Sequence, residues 1–84
     1  MEPKFAFAKV IRRLRIQAGL TQEQLGFDAD LRRTYISILE LGQQQPSLAT
    51  LFKLASALKI SASALIAEVE LEMAGTGRVT PTQG

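Results

Sequence analysis

Apolar residues recur at helical spacing along this chain, and no segment alternates convincingly with period two. The breaks in that period therefore decide how many helices form and how they turn. Phe7, Val10, Ile11, Leu14 and Ala18 follow the pattern of one buried helix face, opposite Lys9, Arg12, Arg13 and Gln17. Gly19 stops this first helix, since a C-terminal glycine readily takes a positive φ. Thr21 reads as the next N-cap, and Gln24 three residues later completes a capping-box pattern. Asp28-Ala29-Asp30 interrupts the second helix within about two turns. A third runs from about Arg32 to Leu41, with Tyr35, Ile36 and Leu39 inward, and ends at Gly42. After the loop Gln43-Gln44-Gln45-Pro46, Ser47 caps a fourth helix whose core stripe is Leu48, Leu51, Leu54, Ala55 and Leu58. Ser61 caps a fifth, bearing Leu65, Ile66, Val69 and Met73. From Ala74 the segment AGTGRVTPTQG reads as a flexible tail. The expected fold is all-α: a compact five-helix bundle over residues 1–73, followed by a tail at 74–84.

The bundle has 84 residues to work with, enough for one small domain. Cys, His and Trp are all missing. Without Cys there is no disulfide framework, thiolate zinc site or cysteine nucleophile, and without His no imidazole base. No enzyme, metal, cofactor or small-molecule ligand is expected. Net charge is only +2, but it is unevenly spread. Residues 1–60 hold nine Lys/Arg against five Asp/Glu, whereas residues 61–84 hold Arg78 against Glu68, Glu70 and Glu72. A basic body with an acidic end suggests a polyanion-binding face, and ordinary solvated charge is the competing reading. No stretch approaches the ~20 apolar residues of a membrane span, and the N-terminus lacks the apolar run of a signal peptide. A cytoplasmic protein is the expectation.

Thr21 to Gly42, TQEQLGFDADLRRTYISILELG, is the informative segment. A capped two-turn helix, a tight turn and a second helix of about ten residues are the parts of a helix-turn-helix. The second helix of that motif enters the DNA major groove. At about 100° per residue, Tyr35, Ile36 and Leu39 gather on one side, and Arg33, Thr34 and Ser37 on the other. Arg can bind guanine O6 and N7 through two hydrogen bonds, and Thr or Ser can bond base edges or meet a thymine methyl. A plain solvated helix surface is the alternative.

GLTQEQL, RTYISILELG and PSLATLFKLASALKIS, in this order and spacing, resemble the phage-repressor-like, or Xre-type, helix-turn-helix family. The resemblance covers about residues 5–66, and RTYIS in so short a chain looks most like the controller proteins of restriction–modification systems. It implies a lambda-repressor-like DNA-binding domain that acts as a homodimer on double-stranded operator DNA. It further implies that Gln22 holds a phosphate, and that Arg33 and Thr34 contact bases, with Ser37 one turn later. Tyr35 either reaches a phosphate or packs against the first helix. Family members often pair an Arg late in helix one with the Glu closing helix three, here Arg15 and Glu40, as an architectural contact.

Several positions depart from the family pattern. Asp30 stands where the turn usually has Gly, and Asp tolerates a left-handed conformation. Arg32 replaces a small capping residue, which sacrifices ~1 kcal/mol but sets another cation at the groove edge. Gly26 replaces a helical Ala at a propensity cost of roughly 1 kcal/mol. Gln43 and Gln44 stand in a stretch that is often basic, as weaker phosphate contacts. The last helix carries a stripe too wide for one small domain to cover. Ile66, Val69 and Met73 are therefore expected at the dimer contact, with Leu65 inward and Glu68, Glu70 and Glu72 as a solvated rim. Two other functions remain open: an antitoxin-type repressor that also binds a toxin, and a protein-interaction module on the same scaffold.

Overall fold

A computed structural model describes residues 1–75 as five helices: α1 Pro3–Gln17, α2 Gln22–Ala29, α3 Arg33–Glu40, α4 Leu48–Ala57 and α5 Ala62–Gly75. The helical period and the breaks account for this order. Pro3 opens α1, where a missing N–H costs nothing. Gly19 closes it at φ +75°, with Leu20 N–H donating to the Arg15 carbonyl at 3.1 Å. The Thr21 capping box is complete: its hydroxyl accepts from Gln24 N–H, and the Gln24 side chain accepts from Thr21 N–H. Ser47 and Ser61 cap α4 and α5 through Thr50 N–H and Ala64 N–H. Gly42 ends α3 at φ +73°. The expected tail at 76–84 lies outside the described residues, while Ala74 and Gly75 continue α5.

α1 packs against α3 and α5, α2 against α3 and α4, and α4 against α5. Val10, Ile11, Leu25, Ile36, Leu39, Leu54 and Leu65 are the largest of the fully buried side chains where these helices meet. Three expected core or surface positions differ. Ala18 is exposed because it is the C-cap of α1, where the chain already turns away. Leu48 is exposed as the first residue of α4, so that helix's stripe reaches the core only from Leu51 onward. Val69, assigned to a dimer contact, is 8% exposed and belongs to the protomer core. Residues i and i+4 share a helix face, so the inward Leu65 carries Val69 inward with it. Ile66 and Met73 stay partly exposed. Among the described residues no single helix is long and apolar enough to cross a membrane.

Two ion pairs tie α1 to its neighbours. Arg15 Nε and Nη2 donate to Glu40 Oε2 and Oε1 at 2.6 and 3.0 Å, and Arg15 Nη1 donates to the Leu20 carbonyl at 2.9 Å. Their side chains are 12% and 4% exposed, so the pair is nearly dry. The hydrogen bond to Glu40 raises the Arg15 pKa, against burial, which lowers it. Arg13 and Glu68 meet at 2.7 Å with side chains 38% and 41% exposed. Glu68 is therefore a link between α5 and α1 and no part of a free acidic rim.

The turn between α2 and α3 is built on a close approach. Asp30 adopts the left-handed conformation, φ 59° and ψ 45°, and Leu31 N–H returns to the Gly26 carbonyl at 2.8 Å. A Cβ on Gly26 would lie 2.7 Å from the Leu31 carbonyl oxygen and 3.4 Å from Arg33 N. Gly26 is thus more than a propensity loss in α2: it makes room for the backbone of the turn.

Two stability predictions follow from these contacts. Gly26→Ala gains roughly 1 kcal/mol of helix propensity yet must push backbone aside, so a net loss of ~1–3 kcal/mol is expected. Urea unfolding checks it, and an alanine variant more stable than wild type would refute the close-approach account. Arg15→Ala strands the buried Glu40 carboxylate and should cost ~3–5 kcal/mol. Arg13→Ala breaks an exposed pair and should cost no more than ~1 kcal/mol. Equal midpoint shifts for the two would show that burial does not separate them.

Candidate nucleic-acid interface

The start of α3 breaks the local rules for a stable helix N-terminus. Its N-cap is Arg32, which makes no side-chain cap hydrogen bond, and its first turn contains no acidic residue. A polar cap is typically worth ~1 kcal/mol. Cations at this end also face the positive pole of the helix dipole, an unfavourable placement of ~0.3–1 kcal/mol each. Arg32 and Arg33 nevertheless sit here, both exposed and neither with an ion-pair partner among the described residues. The uncapped start of α3 and two adjacent exposed arginines thus lie together at one helix end, an arrangement suited to a polyanion.

The remaining expected site residues fall around this point. Thr34 is exposed, and Ser37, one turn later, is half-buried. Tyr35 is half-buried and packs against the hydrophobic core. Gln43 and Gln44 are exposed in the loop that leaves α3. Gln22 opens α2, half-buried, and its Nε2 donates to Glu40 Oε1 at 3.1 Å. One cation was missed in the sequence: Lys53 of α4, with Nζ 3.9 Å from Asp30 Oδ2 at the turn. Both partners are well exposed, so the contact adds charge near the motif more than it adds stability. Nothing in the local spacing of Lys53 marks it, because only the packing of α2 on α4 brings it there.

Ile66, of the expected dimer residues, lies at a shallow apolar depression of about 150 Å³. Pro3, Phe7, Pro46, Leu51 and Val69 also line it, drawing together α1, the loop before α4, α4 itself and α5. No group of three or more His, Cys, Asp or Glu among the described residues is arranged to hold a metal ion.

A helix-turn-helix family model matches residues 11–65, which include the whole of α2, the turn, α3 and α4. The chain is 34% identical over 64 residues to the control protein C.BamHI of Bacillus amyloliquefaciens, covering 75% of this chain and 79% of that one. The restriction–modification controller protein C.AhdI of Aeromonas hydrophila has a similar crystal structure, with a TM-score of 0.71 and 40% identity over 74% of this chain and 94% of that one. The controller protein C.Esp1396I, solved as a tetramer with its natural 35-base-pair operator, gives a TM-score of 0.80 at 26% identity over 87% and 96% of the two chains. The sequence blocks, the helix order and these matches agree: the chain belongs to the Xre-type helix-turn-helix family and is of the restriction–modification controller type.

Proposed function

We propose that this protein is a cytoplasmic, sequence-specific transcriptional regulator that binds a palindromic operator as a homodimer, with α3 in the major groove. The observation that carries this reading is the pair of arginines, without an ion-pair partner among the described residues, at the uncapped start of α3. A helix that gives up its cap and accepts like charge at its positive end is compensated when a polyanion binds there. Arg33 and Thr34 then lie at the end of α3 that meets base edges, with Ser37 one turn on, and Arg32 at the groove edge. Gln22 takes a backbone phosphate from the start of α2, and Gln43 and Gln44 offer amides to the backbone from the loop beyond α3. Phosphate contacts set the register and base contacts set the sequence. The tetramer of C.Esp1396I on its operator supports an oligomeric, DNA-bound state for a chain of this shape.

The dimer contact in this reading is centred on Ile66 and Met73, with Val69 reassigned to the core beneath them. An eight-residue recognition helix is about 12 Å long and touches only a few base pairs. Selecting an operator among a genome's competing sites needs a second copy. Two copies about a two-fold axis place their half-site centres about 34 Å apart.

Selection from a randomised duplex pool should recover a palindrome, and that operator then serves the mutants. Arg33→Ala should cost ~1–3 kcal/mol on it and relax preference at one base pair. An equal loss on every operator variant would remove Arg33 from base reading. Ile66→Glu should stay folded but sediment as a monomer, losing operator affinity far more than non-specific binding. Val69→Glu should instead unfold, since its site is inside the protomer. Sedimentation of wild type at tens of micromolar, with operator titration, decides the assembly. A monomer that binds each half-site independently would defeat the homodimer reading.

A further inference from the structure

Gln22 is not free to choose which end of its amide faces outward. The two ends have nearly the same shape, but Glu40, as the anionic half of an ion pair, offers only acceptors. It therefore takes the NH2 end, which is the contact seen: Gln22 Nε2 to Glu40 Oε1 at 3.1 Å. The same Oε1 accepts from Arg15 Nη2, while Oε2 accepts from Arg15 Nε, so the carboxylate cannot swing to follow a moving amide. One Nε2 hydrogen is used in this way. The other, on the same nitrogen, has no partner among the described residues.

We propose that Glu40 is a positioning residue for DNA binding, holding the Gln22 amide so that its second N–H, and not its carbonyl, is presented to a backbone phosphate. This rests on Gln22 being a phosphate contact, as set out under the proposed function. A phosphate oxygen only accepts, so a carbonyl turned toward it is repelled, and an unheld amide would have to be ordered when DNA arrives. Ordering one such side chain is typically worth roughly a two- to tenfold change in affinity. The Arg15–Glu40 pair thus has a second task beyond orienting α3. It also keeps the Glu40 charge matched beside the incoming polyanion.

Four proteins test this: wild type, Gln22→Ala, Glu40→Gln and the double variant, titrated with a labelled mixed-sequence duplex at low salt. Each affinity is referred to the folded fraction measured under the same conditions. Glu40→Gln keeps the shape of the site, but a glutamine can accept through one end and donate through the other, so the orientation of Gln22 is no longer fixed. It should weaken binding roughly two- to tenfold more in the wild-type background than where Gln22 is alanine, any loss that remains there reporting the orientation of α3. A loss that is the same in both backgrounds would mean a merely structural role for Glu40 and overturn the inference, while a loss from Gln22→Ala would still uphold the phosphate contact. No loss from Gln22→Ala would overturn that contact and the inference with it. Side-chain amide relaxation of Gln22 in the free wild type needs no variant: backbone-like order is expected, and a freely reorienting amide would overturn the proposal.

Discussion

One guanidinium, that of Arg15, joins most of the elements that make up the candidate interface. It grips the carboxylate at the end of α3, donates to the Leu20 carbonyl in the loop before α2, and through Glu40 reaches Gln22 at the start of α2. Such a pair is a poor source of net stability, because removing two charges from water offsets much of what their attraction returns. Its value lies in direction. A patch of aliphatic side chains at the same place could hold α1 and α3 together, but it would tolerate sliding and rotation. A planar fork meeting a carboxylate at 2.6 and 3.0 Å does not. The end of α3 is thereby set relative to α1, and the rest of α3 follows as a rigid rod.

The opposite end of α3 is governed by backbone rather than charge. Gly26 lets the Leu31 carbonyl approach within the space a Cβ would fill, and Asp30 supplies the left-handed residue that reverses the chain. Between the Gly26 turn and the Glu40 clamp, α3 is pinned at both ends, and Ile36 and Leu39 bury its inner face. That external support explains how the helix survives without a cap and with cations at its positive pole. Eight residues are too few for a stable isolated helix. Tertiary contacts hold α3, which frees its first turn to carry residues chosen for a ligand.

Much of this was readable in the sequence because it is local. Thr21 with Gln24, Ser47 and Ser61 act within three residues of themselves, and Gly19 and Gly42 do so through their own φ angles. The expected third helix, Arg32 to Leu41, became Arg33–Glu40 with those two residues as its caps. Arg15 and Glu40, twenty-five positions apart, were paired only through resemblance to a family, since spacing alone cannot join two helices across a fold. Lys53 beside Asp30, Arg13 with Glu68 and Gln22 with Glu40 are contacts of the same long-range kind. Val69 was misassigned for a different reason. A helix whose apolar residues spread over more than one face does not say which of them the protomer needs, and the i, i+4 relation to Leu65 was the available clue.

That division of α5 bears on how a homodimer would read DNA. Leu65 and Val69 close the protomer core, and Ile66 is the immediate neighbour of Leu65 on the adjoining face. On the homodimer reading, the residues that meet the partner are attached to the same helix, within one turn of the residues that fix it to the body. Little play is then possible between the partner contact and the core, and the core in turn holds α3 through Ile36 and Leu39. A fixed separation between two recognition helices is what a palindrome of one-turn spacing requires. A dimer contact carried on a mobile extension would bring two copies together without fixing that distance, and it would raise affinity without selecting the spacing. On the homodimer reading the path from partner to core to groove passes through packed helices throughout, and operator spacing becomes a property of the protomer's own core.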